Sequence, residues 1–297
     1  MAGQIIKLTD FAAQVAKYLK SVIEAEKAEI SISSIMVGEN EASKSYFNGI
    51  RKKAAEMGID AKCEIMSSKT TQEQLLEKID ALNKDEHCFG IMLQMPLPKH
   101  IDANKVFERI NYCKDIDGMN IVNQGYLFSG EPLLIPATAW AVQVFLQYFA
   151  VRFNYPLAGK NAVIIGRSNT VGKPAAHLLL QENMTVSLCH SKSNNTEEMC
   201  RQADVVVAAC GVPKMVKASW LKSGAVVADV GIHVTDEGKL CGDVDTENAI
   251  EQAGYITAVP GGIGSLTSTL LLANAVKSYF LFEKQQLMKM DFVGNTE

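Results

Sequence analysis

Asn161-Ala162-Val163-Ile164-Ile165-Gly166-Arg167-Ser168-Asn169-Thr170-Val171-Gly172 is the stretch that decides the fold. An apolar run of strand length ends on a glycine, a polar turn follows, and Lys173–Gln181 then reads with a helical period. This is the first strand–turn–helix of a Rossmann-type unit, in which backbone N–H groups at a helix N-terminus meet a pyrophosphate. The spacing departs from G-x-G-x-x-G: Ser168 stands at the second glycine position and the last glycine comes one residue late. A purely structural pair of turn glycines fits the same letters. The position of the turn at the end of a strand favours the binding reading.

The pattern continues on both sides. Downstream, Thr185–Cys189, Val205–Ala208, Ala225–Asp229 and Tyr255–Val259 read as strands and Thr196–Gln202 as a helix, and a helix from Thr138 to Phe153 precedes the series. Upstream, the strand-like Ile32–Val37, Ala61–Met66 and Phe89–Leu93 alternate with the helical Ala42–Met57 and Thr71–Leu82. Such alternation builds a parallel sheet with helices on its faces. Gly58 stands where a helix C-cap glycine belongs. Lys99–Gly130 loses period and is expected to be a long functional loop. Helix is expected from Gly264 to about Gln286, with the last ten residues frayed. The predicted fold class is α/β in two units, without a sequence repeat between them.

The end of the second strand in the later unit bears on the cofactor. NAD-selective sites place Asp or Glu there to accept from the ribose 2′-hydroxyl. Here the chain reads Cys189-His190-Ser191-Lys192, without an acid. Arg167, Ser191 and Lys192 suit a 2′-phosphate, which a carboxylate would repel, so NADP is favoured over NAD. Lys192 also reads as an ordinary solvated loop lysine.

Composition removes other classes. The 297 residues are 47% hydrophobic and 21% charged, enough to bury a core without staples. A net charge of −4 provides no field for nucleic acid or an anionic membrane. Seven scattered cysteines, with no C-x-x-C pair, suggest neither a disulfide framework nor zinc. Asp115 and Asp117 lack a third ligand at suitable spacing, so no metal is expected. The N-terminus shows no basic segment followed by an apolar core, and Leu266–Val276 is too short to span a bilayer. A cytoplasmic location is expected. His87, His100, His177, His190 and His233 have no Ser or Cys partner in a recognisable arrangement, which argues against a nucleophilic triad.

Several blocks together resemble one family: Val37-Gly38-Glu39-Asn40-Glu41-Ala42-Ser43-Lys44-Ser45-Tyr46, Gln94-Met95-Pro96-Leu97-Pro98, Lys114-Asp115-Ile116-Asp117-Gly118 and Pro260-Gly261-Gly262-Ile263-Gly264. With Gly166–Pro174 and Asp229-Val230-Gly231-Ile232 they span nearly the whole chain, in order. The sequence is similar to the methylenetetrahydrofolate dehydrogenase/methenyltetrahydrofolate cyclohydrolase family.

The resemblance implies a folate-binding catalytic domain of residues 1–137 plus 271–297, a Rossmann-type NADP-binding domain of residues 138–270, and a cleft between them. It implies a homodimer. Tyr46 would stack on the pterin, Asp117 would bond its ring edge, and Gln94 would lie beside the one-carbon unit, these three forming the catalytic set. Pro260, Gly261 and Gly262 would let backbone approach the substrate. Gly166, Arg167, Ser168, Ser191, Ile232, Thr138 and Thr267 would hold NADP. Hydride would pass from 5,10-methylene-tetrahydrofolate to NADP⁺, and the methenyl product would be hydrolysed to 10-formyl-tetrahydrofolate.

Hydride transfer needs no acid or base, because two nitrogens stabilise the cation left behind. Hydrolysis needs a group to take a proton from water. In the family that role belongs to a lysine four residues after the tyrosine, with the glutamine as its partner; here the position is Ile50. Arg51 and Lys52 point to other helix faces, and Lys53 lies on the right face one turn further along. All three read as a solvated basic face. Two other departures are Pro136-Ala137-Thr138-Ala139-Trp140-Ala141 for Pro-Cys-Thr-Pro-x-Gly, and Ser265-Leu266-Thr267 for Pro-Met-Thr. The expected function is NADP-dependent dehydrogenation, with cyclohydrolase activity called into question by Ile50 at the family's lysine position. The alternatives are a fully bifunctional enzyme using Lys53 or a water, and an impaired paralogue that binds folate or NADP.

Overall fold

The computed structural model describes residues 3–294. Of these, residues 3–13, 138–267 and 291–294 form one compact unit, and residues 14–137 with 268–290 form the other. In chain order the elements begin with β1 (Gln4–Ile6), α1 (Thr9–Glu26), β2 (Ser31–Val37), α2 (Glu41–Met57), β3 (Asp60–Met66), α3 (Gln72–Lys84) and β4 (Cys88–Leu93). Next come α4 (Ala103–Arg109), α5 (Ile121–Ser129), α6 (Ala137–Arg152), β5 (Asn161–Ile165), α7 (Gly172–Gln181), β6 (Thr185–Cys189), α8 (Thr196–Gln202), β7 (Val205–Ala208) and β8 (Val226–Asp229). The chain finishes with β9 (His233–Val234), β10 (Leu240–Cys241), α9 (Thr246–Ala249), β11 (Tyr255–Thr257) and α10 (Ile263–Glu283).

The unit of residues 14–137 and 268–290 is built on a parallel sheet ordered β3-β2-β4. Every residue of β2 except Ser31 is buried, and all of β4 is buried, as expected of strands covered on both faces. α2 starts where the Asn40 side chain accepts from Ser43 N at 2.9 Å, and it ends at Gly58, whose φ of 83° only glycine adopts freely. Thr71 and Gln74 start α3 with a reciprocal capping box. The core joins Ile35, Val37, Leu75, Ile79, Ile91, Leu93 and Val106.

The other unit carries a parallel sheet ordered β1-β11-β8-β7-β5-β6 and the antiparallel hairpin β9–β10. β5 lies between β6 and β7, both later in the chain, so the strand order reverses there. Ligands of open α/β sheets bind outside the carboxyl ends of strands at such a switch point. Its core joins Val163, Ile165, Val206, Ala208, Val227 and Ile256.

Three expectations change. Residues 3–13, expected in the folate-binding domain, group with the six-stranded sheet because β1 pairs in parallel with β11. Residues 268–270 group with the three-stranded unit and 291–294 with the six-stranded one, which moves both later boundaries. The expected loop Lys99–Gly130 contains α4 and α5, which are short and started by side-chain caps from Asp102 and Asn120. At seven and nine residues they leave little periodic signal. α10 ends at Glu283, a little before the expected Gln286; of the last ten residues, expected to fray, 288–294 have no helix or strand and 295–297 lie outside the described residues.

Candidate functional site

In the three-stranded unit the motif residues gather at the carboxyl ends of β2 and β4. Tyr46 stands on α2 two turns after its cap, with 46% of the residue exposed. The first turn of α2 is tied to the segment after β4 by Ser43 Oγ, which donates to the Met95 carbonyl at 3.3 Å. The Lys114–Asp117 segment runs beside β4: Ile91 N donates to the Lys114 carbonyl at 2.7 Å, and Asp115 bridges to Ile91. Asp117 therefore comes level with the end of β4, where the Leu93 backbone hydrogen-bonds its carboxyl. Burial and the charge of Asp115 still push Asp117 up to about 7. Crowding of the Tyr46 hydroxyl and the charge of Asp117 raise that phenol in turn. The charge of Asp117 is thus felt at the Tyr46 hydroxyl.

Asp115 is structural. Its Oδ2 accepts from Asn120 N at 2.7 Å and from Asn123 Nδ2 at 2.9 Å, fixing the start of α5. Lys114 is wholly buried and donates to the carbonyls of Leu82, Asn83 and Asp85 at the end of α3, at 3.3, 2.9 and 2.7 Å. A cation among terminal helix carbonyls is favourably placed. The two residues anchor the segment that carries Asp117 to α5 and to the end of α3.

Gln94 follows the last residue of β4 and is 6% exposed. Its Nε2 donates to Ser34 Oγ at 2.9 Å, and Ser34 shares a hydrogen bond with the Cys63 thiol. Ser34 faces Cys63 and Met92 in the sheet register, so one row across three strands fixes the amide.

Ile50 is 1% exposed and packs with Phe47, Ala54 and Met57 on the buried face of α2. Arg51 and Lys52 are exposed, as expected. Lys53 is not a solvated lysine. It is half-buried, and its Nζ donates to Ser268 Oγ at 2.7 Å and to Thr269 Oγ1 at 2.8 Å on α10. Burial lowers its amine below the usual lysine range, against a small opposing effect of Glu56. The serine–threonine pair on α10 takes a side chain that would otherwise reach solvent.

In the six-stranded unit the glycine turn leaves β5 at the switch point. Gly166 has φ +125°, and a Cβ there would lie 2.0 Å from the Ala209 carbonyl oxygen after β7. A Cβ on Gly172 would lie 2.0 Å from the Gly166 carbonyl oxygen. Only hydrogen fits at either place, so the turn stays tight against the sheet. Ser168 Oγ accepts from Val171 N at 3.1 Å and shapes the start of α7. Arg167 and Ser168 are exposed beside it.

After β6, His190 N donates to Ser193 Oγ at 3.0 Å and Lys192 N to His190 Nδ1 at 3.1 Å, a turn that leaves Ser191 and Lys192 exposed. After β8, Ile232 is 61% exposed. After β11, Gly261 has φ +102°, and its carbonyl accepts from Leu8 N at 2.8 Å. Gly262 is buried, with a Cβ position 2.3 Å from the Ala258 carbonyl oxygen, while Pro260 is exposed. Thr138 lies in the first turn of α6, and Thr267 Oγ1 donates to the Ile263 carbonyl at 3.1 Å. Among the described residues, no group of three His, Cys, Asp or Glu could hold a metal.

Several working residues escape sequence reading. Ser33 and Ser34 inside the otherwise apolar Ile32–Val37 were the visible signal for the Gln94 anchor. Asp243 and His233, which pair across 2.7 Å, carried none, because they stand ten positions apart across the β9–β10 hairpin, whose two-residue strands leave no period.

A model of the tetrahydrofolate dehydrogenase/cyclohydrolase catalytic domain matches residues 6–117, and the NAD(P)-binding domain of the same name matches residues 136–282. The bifunctional protein FolD of Bacillus cytotoxicus is 43% identical over 281 residues, covering 94% of this chain and 97% of its own. The solved bifunctional FolD of Campylobacter jejuni superposes with a TM-score of 0.88 at 36% identity, over 96% of this chain and 100% of that one. The Trypanosoma brucei FolD, solved with NADP and an inhibitor, has a TM-score of 0.87 at 32% identity, over 96% and 99%.

Proposed function

Since the chain belongs to the tetrahydrofolate dehydrogenase/cyclohydrolase family, we propose that it is an NADP-dependent 5,10-methylenetetrahydrofolate dehydrogenase of one-carbon metabolism with weakened cyclohydrolase activity. The observation that carries the dehydrogenase reading is the Gly166–Gly172 turn, whose two missing side chains open backbone N–H groups to a pyrophosphate. The residues fit NADP: no acid stands at the end of β6, and Arg167, Ser191 and Lys192 are exposed for a 2′-phosphate. Gly166, Arg167, Ser168, Ser191, Ile232, Thr138 and Thr267 would hold the cofactor. When bound, the oxidised nicotinamide accepts a hydride.

Tyr46, Gln94 and Asp117 would take the folate, with Pro260, Gly261 and Gly262 lending backbone to it. With its carboxyl pushed up to about 7, Asp117 exchanges between donor and acceptor forms near neutrality and can pair with a pterin ring edge in either. Gln94, its nitrogen held by Ser34, presents its carbonyl oxygen, a dipole that favours a methenyl cation. None of these groups has to move a proton for the hydride to leave.

Hydrolysis of the cation is different, since the attacking water must lose a proton. Ile50 cannot accept one, and Gln94 is engaged by Ser34. A second reading keeps both activities and is favoured by one observation: Lys53 is half-buried, and burial lowers its amine below the usual lysine range. An assembly of two copies and a cytoplasmic setting accompany both readings; among the described residues no helix is long and apolar enough to cross a membrane.

The test is two assays and one binding measurement on the purified protein. NADP⁺ with methylene-tetrahydrofolate should produce a methenyl compound that accumulates. Rapid enzymatic hydrolysis of added methenyl-tetrahydrofolate would replace this with the bifunctional reading. NADP⁺ binding without oxidation would leave an impaired paralogue.

A further inference from the structure

Two buried carboxylates gather the strand ends of the six-stranded unit. Asp229, the last residue of β8, accepts from Gly231 N at 3.0 Å and Asp243 N at 2.9 Å through Oδ1, and from Val244 N at 3.0 Å through Oδ2. Asp243 Oδ2 accepts from Cys210 N at 2.7 Å and Gly211 N at 2.9 Å, in the loop after β7. Asp243 Oδ1 meets His233 Nε2 at 2.7 Å. Two glycines make room: a Cβ on Gly231 would lie 2.4 Å from Asp243 Oδ1, and one on Gly242 would lie 1.9 Å from Asp229 Oδ2.

Asp243 is fully buried, and His233 is the partner that closes it towards solvent, with 21% of its own side chain exposed. The Cys210 thiol also bonds this carboxylate, and burial pushes that thiol up to about 11, so it remains a neutral donor. Ile232 lies between Gly231 and His233, both bound to the knot, and its Cδ1 stands 3.2 Å from where a Cβ would lie on Gly264. An exposed isoleucine on a short loop would ordinarily sample several positions. Here both chain neighbours are fixed.

We propose that His233 is a positioning residue for the dinucleotide, holding the Ile232 loop in place by donating its Nε2–H to Asp243. The proposal rests on the reading of Ile232 as part of the cofactor site. Removing the imidazole takes away the donor to Asp243 Oδ1, and the hairpin β9–β10 loses its hold on the loop.

The experiment compares the wild type with His233→Ala and His233→Gln, measuring NADP⁺ binding by calorimetry, KM for each substrate, kcat and thermal melting. His233→Ala is expected to raise the Kd and KM for NADP⁺ about tenfold, the loss of one hydrogen bond to a charged group, with kcat and the folate KM within about twofold. His233→Gln, whose Nε2–H reaches a similar distance, is expected to restore most of the affinity. Equal NADP⁺ affinity in wild type and His233→Ala overturns the proposal, as does a fall in all parameters together. If His233→Ala melts early, His233→Gln against His233→Met gives the same comparison. A wild-type protein that binds no NADP⁺ overturns the cofactor reading itself, and the proposal with it.

Discussion

Gln94 donates its amide N–H to the Ser34 hydroxyl across 2.9 Å, and both side chains are buried. The bond fixes which end of the amide faces away from the sheet. Ser34→Ala should leave Gln94 free to rotate and cost about 1 kcal/mol of stability, the usual worth of such a bond. The dehydrogenase kcat should fall severalfold while the KM for NADP⁺ stays within about twofold. Ser34→Thr, which keeps the hydroxyl, should recover much of the rate. Steady-state kinetics on the two variants checks this.

Ile50 and Lys53 make opposite statements about hydrolysis. Ile50→Lys should raise the hydrolysis rate of methenyl-tetrahydrofolate, but it places an amine where the native side chain is 1% exposed, so melting should drop by several degrees. Lys53→Met removes the amine that Ser268 and Thr269 hold, and should leave dehydrogenation within about threefold. A hydrolysis rate that falls tenfold or more in Lys53→Met identifies Lys53 as the group serving the second reaction. No gain in a folded Ile50→Lys variant counts against the role of that position.

The parts of the fold that repeat a period were legible. Asn161–Ile165, Thr185–Cys189, Thr196–Gln202 and Val205–Ala208 have the predicted limits, because buried parallel strands and their crossover helices leave continuous apolar runs. β1 was not legible: three residues carry no period, and only their pairing with β11 reveals them. The motif residues Tyr46, Gln94 and Asp117 could be located from the letters, but their partners could not. Ser34 lies 60 residues from Gln94, and Ser268 lies 215 from Lys53. Helical spacing put Lys53 on the right face of α2, yet whether water or α10 covers that face depends on a distant segment.

Gly172 is required by contact with backbone. Its missing Cβ would stand 2.0 Å from the Gly166 carbonyl oxygen, and neither atom belongs to a side chain that could turn aside. Gly172→Ala should therefore shift the whole turn, lowering the melting temperature and abolishing measurable NADP⁺ binding. Gly130→Ala, where a Cβ meets open space although φ is +90°, should cost only local strain and leave NADP⁺ affinity unchanged. Calorimetry on both variants separates the turn's geometry from a general effect of added methyl groups.

Asp117 predicts a pH dependence whose sign follows from burial. Its carboxyl is raised from 3.8 to about 7 in the folded chain, so the native state holds more protons than the unfolded state between those values. The contribution to stability is complete below about 4 and is lost as pH rises through about 7. Asp117→Asn has no proton to lose, so its melting temperature relative to wild type should climb from pH 5 to pH 8. The variant should also flatten any step near pH 7 in kcat/KM for the folate. An unchanged melting difference across that range would mean that the carboxyl titrates near its ordinary value.

On the proposed cofactor site, preference for NADP⁺ would rest on charge at two turns. Arg167 follows Gly166 after β5, and Lys192 stands in the turn after β6, both exposed and with no carboxylate at the strand end between them. The 2′-phosphate is the only difference between the two dinucleotides, so a cation that serves it contributes nothing to NAD⁺. Arg167→Gln with Lys192→Gln should raise the KM for NADP⁺ tenfold or more, as expected for charge-assisted bonds worth about 1.5–3 kcal/mol each. The KM for NAD⁺ should move by less than about twofold. Added salt should weaken NADP⁺ binding in the wild type more steeply than in the double variant, because exposed charges are screened. If both cofactors weaken together, the two side chains support the turn itself, and selectivity for the phosphate lies elsewhere.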